Sequence, residues 1–250
     1  MDSKKQLAIN MIASFVNFSV NLSIGFVLSP FIVKHVGTEA FGFAGLANNM
    51  VNYAAILTVA LNSVAGRFIT VAYHRGEKAT ADRYFSSTLV ANAVLVLAMT
   101  VVSMPLIINL EHVINISPHL IIDVKVLFTF VFLNFAIGTI TTVLTVATFV
   151  KNKLYLQSIA NIAYSLTRVA TLVVCFAILP PRVFYVGLAL CLGTIALSVL
   201  SFLYTKKLLP EIRFQRTAVS WKGTKQMLSS GIWNSVIKLQ QILMDGLSLL

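Results

Sequence analysis

YLQSIANIAYSLTRVATLVVCFAIL, residues 155–179, is apolar enough to lie in hydrocarbon and yet carries Gln157, Asn161, Tyr164, Arg168 and Thr171 at spacings of four, three, four and three. At roughly 100° per residue these side chains fall on one narrow stripe of a helix. The same rhythm recurs in Asn10, Ser14, Asn17 and Asn21, and again in Asn234, Lys238, Gln241, Asp245 and Ser248. An unpaired charge at the bilayer centre costs at least about 2.5 kcal/mol, and unsatisfied polar groups there cost several. Such stripes must therefore face one another or a wet cavity, which makes a polar passage through a membrane the expectation.

The rest of the chain supplies the membrane. Of 250 residues 58% are hydrophobic and 11% charged, a balance outside the range of soluble domains. Apolar runs longer than 18 residues recur between short clusters of charge, Pro or Gly, each able to cross a core of ~30 Å as a helix. Six spans are expected, roughly Leu7 to Val33, Ala40 to Tyr73, Tyr84 to Leu110, Leu120 to Val150, Tyr155 to Leu179 and Phe184 to Leu203, with a seventh beginning near Gln226. The fold class is all-α and polytopic: a six-helix bundle over residues 1–205, an inner link over 206–225, and the first helix of a second bundle over 226–250. The first run follows Lys4 and Lys5 but is far longer than a signal-peptide core and contains Pro30, so it reads as an uncleaved helix.

With the N-terminus in the cytoplasm, thirteen of the nineteen basic residues fall on the inner side (Lys4, Lys5, Arg75, Lys78, Arg83, Lys151, Lys153, Lys206, Lys207, Arg213, Arg216, Lys222, Lys225), while Lys34, Lys125 and Arg182 fall outside. That asymmetry sets the orientation. The net charge of +11 is thus mainly a topology signal, and nucleic acid is not an expected partner. Arg67, Arg168 and Lys238 remain inside spans and need another explanation. Cys175 and Cys191 lie within spans and accompany no metal-ligand spacing, so neither a disulfide, a metal nor another cofactor is expected.

The outer links are short. The inner link, Lys206 to Lys225, mixes Leu208, Leu209, Ile212 and Phe214 with basic residues, and reads either as an amphipathic segment on the anionic leaflet or as a connector whose apolar residues cover helix ends. A chain that stops at Leu250 within an apolar run, soon after this link, reads as a fragment of a longer protein; a natural seven-span protein is the alternative.

Arg168 stands about 22 Å along its helix from Lys153, and Lys238 about 20 Å from Lys225, at ~1.5 Å per residue. Arg67 is nearer the inner surface. If the helices share a cavity, an anionic solute meets Arg67 first and then Arg168 and Lys238. Arginine suits phosphate because its planar fork binds two oxygens and keeps its proton, and lysine adds a point charge. Each has a structural alternative: snorkelling for Arg67, helix-to-helix hydrogen bonding for Arg168, and charge neutralisation for Lys238 and Asp245. Asp245 could instead carry a proton as a coupling group. Asn49, Asn52, Ser63 and Arg67 share one arc of the second span; Asn134, Gly138, Thr141, Thr145 and Thr148 form a stripe on the fourth, for which helix packing is the favoured reading. Pro30 and Pro105 permit bends.

The passages LSPFIVKHVGTEAFG (28–42), LNSVAGRFITVAYHRGEKATADRYFSSTL (61–89) and LPEIRFQRTAVSWKGTKQMLSSGIWNSV (209–236), with Arg67, Phe68 and Gly76 at the inner end of the second span, resemble the polysaccharide flippases of the multidrug/oligosaccharidyl-lipid/polysaccharide exporter superfamily, the Wzx-like or O-antigen transporter branch. The resemblance implies two six-helix bundles around a cavity that opens alternately to each side and moves lipid-diphosphate-linked sugars outward across the bacterial inner membrane. It also implies a polysaccharide polymerase or glycosyltransferases as partners. Related peptidoglycan-precursor flippases carry arginines early in the first helix, where this chain has Asn17 and Asn21, which favours an oligosaccharide lipid. On this reading the substrate is bound by Arg67, Arg168, Lys238, Gln157, Asn161, Tyr164, Asn234, Gln241, Asn17 and Asn21.

The nearest rival is a cation-coupled drug or metabolite antiporter of the same superfamily, which wants acidic groups within the first bundle; only Asp123, near an outer end, is available in the first six spans. A membrane enzyme acting on the same lipids wants a paired base and carboxylate, for which His119 with Asp123 is the sole near match. A scaffold has little use for Arg168 and Lys238 at mid-depth. The expectation is a transporter without enzymatic activity.

Overall fold

The computed structural model describes residues 3–247, except for the side chains of Ser3, Leu243 and 245–247. Helices α1 (Ser3–Val36), α2 (Thr38–His74), α3 (Lys78–Ile108), α4 (Leu110–Val113), α5 (Ile121–Val150), α6 (Leu154–Ile178), α7 (Phe184–Leu208) and α8 (Trp221–Leu247) follow in order, with single 3₁₀ turns at Pro118–Leu120 and Arg216–Ala218. Among the described residues there is no strand, and the chain is an all-α polytopic membrane protein. Six helices, α1, α2, α3, α5, α6 and α7, are long and apolar enough to cross a membrane, and they are the six expected from the sequence. Helix α8, the seventh long helix, starts at Trp221 rather than near Gln226, and among the described residues it is not one of those apolar enough to count as a span. Lys222, Lys225, Asn234 and Lys238 dilute it.

Tight turns make successive helices antiparallel. The chain takes a left-handed φ at Gly37 (84°), Gly76 (77°) and Asn152 (53°), conformations open to glycine and tolerated by asparagine. At two of them the helix end closes in the Schellman pattern, with Glu77 N–H on Ala72 O at 3.0 Å and Lys153 N–H on Thr148 O at 2.7 Å. Helix α6 has no capping side chain of its own. Asn10 of α1 supplies one: its Oδ1 accepts from Tyr155 N–H at 3.1 Å, while its Nδ2 donates to Asn152 O at 3.0 Å.

In packing, α7 lies on α5 and α6, α2 on α5, α3 and α8, and α1 mainly on α6. Close approach is possible where a side chain is missing. A Cβ on Gly187 would meet the Phe130 Cβ at 2.7 Å, and one on Gly193 would meet the Tyr164 ring at 2.8 Å. Side-chain burial is layered along the bundle. Ile32, Ala47, Leu127, Phe128, Leu172 and Ala189 fill one end, and Ile69, Ala81, Phe85, Val143, Val150 and Ile212 the other. On α5 the two apolar layers are residues 124–131 and 143–150, and the turns between them carry Asn134, Gly138, Thr139 and Thr142.

Part of the 206–225 link packs back on the bundle and covers helix ends. Helix α7 runs through Lys206 and Lys207 to Leu208, and the remaining chain folds back over the bundle, burying Leu209 and Ile212 among Ile69, Phe85 and Val150. It is tied to α3 by polar bonds. Arg213 N–H donates to Asp82 Oδ1 at 3.1 Å, Gln215 N–H to Ser86 Oγ at 3.0 Å, and Ser220 N–H to Ser87 Oγ at 2.9 Å. Covering the ends gains more apolar burial than an exposed amphipathic turn, and irregular backbone needs such partners when buried.

Candidate functional site

Midway between the two apolar layers the bundle holds a hollow of about 470 Å³. Helix α2 contributes Asn48, Asn52 and Asn62, α5 contributes Asn134, and α6 contributes Asn161 and Tyr164. None of its lining residues carries a formal charge. Amides offer both a donor and an acceptor, and hydroxyls adapt to either role, so the lining matches an uncharged, hydroxyl-rich ligand better than an anion. Several of these groups are held in place. Asn92, fully buried on α3, donates to Asn62 Oδ1 and to Thr139 O, both at 2.9 Å, and its own Oδ1 has no partner among the described residues. Asn134 accepts from Thr194 Oγ1, and the Tyr164 ring rests on Gly193.

A second cavity, of about 420 Å³, opens between α2, α3 and α8 near the end where most basic residues gather. Arg67 and Arg75 face it together with Glu77, Tyr84, Gln226 and Ser230. Tyr84 donates its hydroxyl to Gln226 Oε1 at 3.2 Å, and Phe68 meets Tyr84 edge-on at 5.1 Å. Two guanidinium groups against one carboxylate leave the cleft cationic, with donors suited to phosphate oxygens.

Of the expected substrate-binding residues, Asn161 and Tyr164 line the hollow and Arg67 lines the cleft. Gln157 donates to Asn161 Oδ1 at 3.4 Å, and its Oε1 is buried without a partner among the described residues. Arg168 stands one turn beyond Tyr164, where the hollow gives way to the Leu172 layer; it is half-buried and its Nε is buried without a hydrogen-bond partner among the described residues. Asn234 donates to Ser63 Oγ at 2.9 Å across the α2–α8 seam. Lys238 is half-buried and Gln241 exposed on α8. Among the described residues α6 packs mainly on α7 and α1, and α8 on α2 and α3, so Arg168 and Lys238 stand on helices seated in different parts of the bundle. The side chain of Asp245 lies outside the described residues.

The stripe on α1 has a different use. Asn21 donates to Asn17 O at 2.8 Å and accepts from Ser165 Oγ on α6 at 2.6 Å, so Asn17 and Asn21 belong to a helix-to-helix seam, not to either cavity. The α5 stripe divides, with Asn134 and Gly138 on the hollow. Thr141, Thr145 and Thr148 turn their hydroxyls onto their own helix carbonyls, the packing role expected of them. Asn48, Asn62 and Asn92 were not singled out from the sequence. For Asn48 a signal existed, its spacing of four from Asn52; for Asn92, alone in an apolar run, there was none.

At the opposite end, where Glu39, Glu111 and Asp123 gather, Lys125 pairs with Glu111 at 2.6 Å and Arg182 with Asp123 at 3.3 Å. The hydrogen bond from Lys125 holds the Glu111 carboxyl below its ordinary range. Asp123 thus faces Arg182.

No family model matches the chain and no solved structure matches it. The chain is similar to the uncharacterized membrane protein EpsK of Bacillus subtilis (strain 168), with 33% identity over 252 residues. The match takes in 98% of this chain and 48% of that protein, so the chain spans about half the length of the curated relative it matches.

Proposed function

We propose that this chain forms the first half of a transporter that flips a polyprenyl-diphosphate-linked oligosaccharide across the bacterial cell membrane by alternating access, with its N-terminus cytoplasmic and without enzymatic chemistry. The observation that carries the reading is the separation of two polar cavities of different character within one apolar bundle. The amide and hydroxyl hollow suits sugar hydroxyls; the Arg67–Arg75 cleft suits a diphosphate. A drug antiporter's organic cation gains nothing from two arginines, and the described spans place no carboxylate in the hollow to hold it. The similarity to a membrane protein of twice the length agrees with a second bundle that completes the passage. Polymerase and glycosyltransferase partners follow from the cargo.

The test uses the complete transporter that contains this chain, purified into vesicles carrying a lipid-linked oligosaccharide, with sugar exposure followed by a membrane-impermeant lectin. Wild-type protein is expected to expose inner-leaflet sugar within minutes. Removing a bonded polar group from a buried site costs about 1–3 kcal/mol, so Asn134→Leu or Asn161→Leu should slow exposure roughly 5- to 100-fold. Extrusion of organic cations with no sugar exposure overturns the proposal.

A further inference from the structure

A third cavity, of about 510 Å³, lies away from both polar sites. Helices α3 and α7 each pack on α5 and make almost no contact with one another, which leaves a slot between them with Leu144 of α5 as its floor. Phe85 and Leu89 form one wall and Phe202 the other. The link crosses from α7 to α3, anchored on Asp82 and Ser86, and closes the slot at the basic end of the bundle with Ile212, Arg213 and Phe214. The lining is almost wholly apolar until that end, where Lys206 and Arg213 stand at the mouth. Both are exposed, and neither forms an ion pair among the described residues. The Arg213 Nε donates to Pro210 O at 3.4 Å, and of Arg213 it is the backbone N–H, not the guanidinium, that donates to Asp82, whose other oxygen takes Gln215 Nε2.

We infer that this slot is a binding site for one anionic phospholipid, its acyl chain lying against Leu89, Leu144 and Phe202 and its phosphate held between Lys206 and Arg213. The slot opens sideways between two membrane-spanning helices, so its natural occupant is a bilayer component rather than a solute. The two cations sit where the apolar wall ends, at the depth of a headgroup. Their placement selects charge: a zwitterionic lipid fills the same wall but brings its own cation to the mouth. The occupant also braces the link, since Arg213, which would hold its phosphate from the link, ties that link to α3 through its own backbone N–H, while Lys206 would hold it from α7. The site is independent of what the two polar cavities carry.

Native mass spectrometry of the protein in neutral detergent, titrated with dioleoyl phosphatidylglycerol or dioleoyl phosphatidylcholine, tests this directly. One phosphatidylglycerol should be retained at concentrations about tenfold or more below those needed for phosphatidylcholine. Lys206→Gln with Arg213→Gln should abolish that preference, whereas Lys222→Gln with Lys225→Gln, which removes equal charge from the same end outside the slot, should keep it. Equal retention of the two lipids overturns the inference, and so does equal loss in both double variants. Should the first pair fail to fold, Phe202→Trp in a Trp221→Phe, Trp233→Phe background gives a second reading. Its fluorescence should be quenched by brominated phosphatidylglycerol well before brominated phosphatidylcholine, and equal quenching by the two overturns the site.

Discussion

Gly231 offers the sharpest test of how α8 is seated. A Cβ built there would lie 1.7 Å from Ala60 O and 2.7 Å from Ala60 C, where real side-chain carbons do not come within 3.0 Å. The obstruction is α2 backbone, which has no rotamer to change, so Gly231→Ala must push the two helices apart by more than an ångström. Two bonds flank the contact within one turn: Asn234 to Ser63 Oγ and Ser235 Oγ to Ile56 O, both at 2.9 Å. Overpacking costs about 1–3 kcal/mol, and interhelical hydrogen bonds in membranes average about 0.6 kcal/mol each, so a loss of about 2–4 kcal/mol is expected. At about 2–4 °C per kcal/mol for a chain of this size, melting in detergent should fall by roughly 5–15 °C. Gly25→Ala is the control, because nothing lies within 4 Å of its added Cβ. It should be neutral or slightly stabilising through helix propensity. Cysteines at positions 63 and 234 should cross-link readily in the parent and poorly with Gly231→Ala. If Gly231→Ala melts with Gly25→Ala and cross-links like the parent, the tight α2–α8 seam is refuted, and with it the cleft that Arg67 shares with Gln226 and Ser230.

Arg168→Met should raise the melting temperature, because a half-buried charge whose Nε has no partner among the described residues costs stability that an uncharged side chain of similar length recovers; a fall in stability would mark it instead as structural. Asp82→Ala removes the acceptor of Arg213 N–H and Gln215 Nε2 and should cost about 1–3 kcal/mol, read as faster proteolysis within 209–220 with little change elsewhere. Glu111 is held below its ordinary pKa by Lys125, so the folded carboxyl binds its proton less readily than the unfolded one. The pair's contribution is accordingly complete above the ordinary carboxylate range and disappears as pH falls through the lowered value, with amide exchange in α4 rising over that window; Glu111→Gln should flatten the dependence.

The six spans could be read from the sequence because a bilayer imposes one requirement on every residue of a helix, and a run such as 121–150 meets it without help from any neighbour. The link could not be read in that way. Leu209 and Ile212 make the same pattern whether they dip into a leaflet or plug a bundle, and what decides is Asp82, Ser86 and Ser87 on a helix more than a hundred residues earlier. Those three look like ordinary polar residues in the second and third turns of α3.

The polar stripes show the same limit more finely. Spacing identifies which side chains share a face of one helix, and it did so correctly for Asn161 with Tyr164 and for Asn17 with Asn21. It carries nothing about the opposite face, and there the two pairs part: Asn161 and Tyr164 meet α2, α5 and α7 around a void, while Asn21 meets Ser165 and is satisfied. Charge drew attention to Arg168 and Lys238, whose helices are seated in different parts of the bundle, and away from asparagines that a cavity gathers from three helices. The physical reason is economy of burial. A neutral amide can cross into a bilayer on any helix and find partners afterwards, so a site for neutral ligands is assembled from residues that are individually unremarked, whereas a buried charge is conspicuous wherever it sits. If the hollow is where sugars bind, Asn48→Leu and Asn62→Leu should weaken transport as much as Asn161→Leu, and Lys238→Leu should matter less than any of them. The reverse ranking, at matched expression in the vesicle assay, would return the function to the cations.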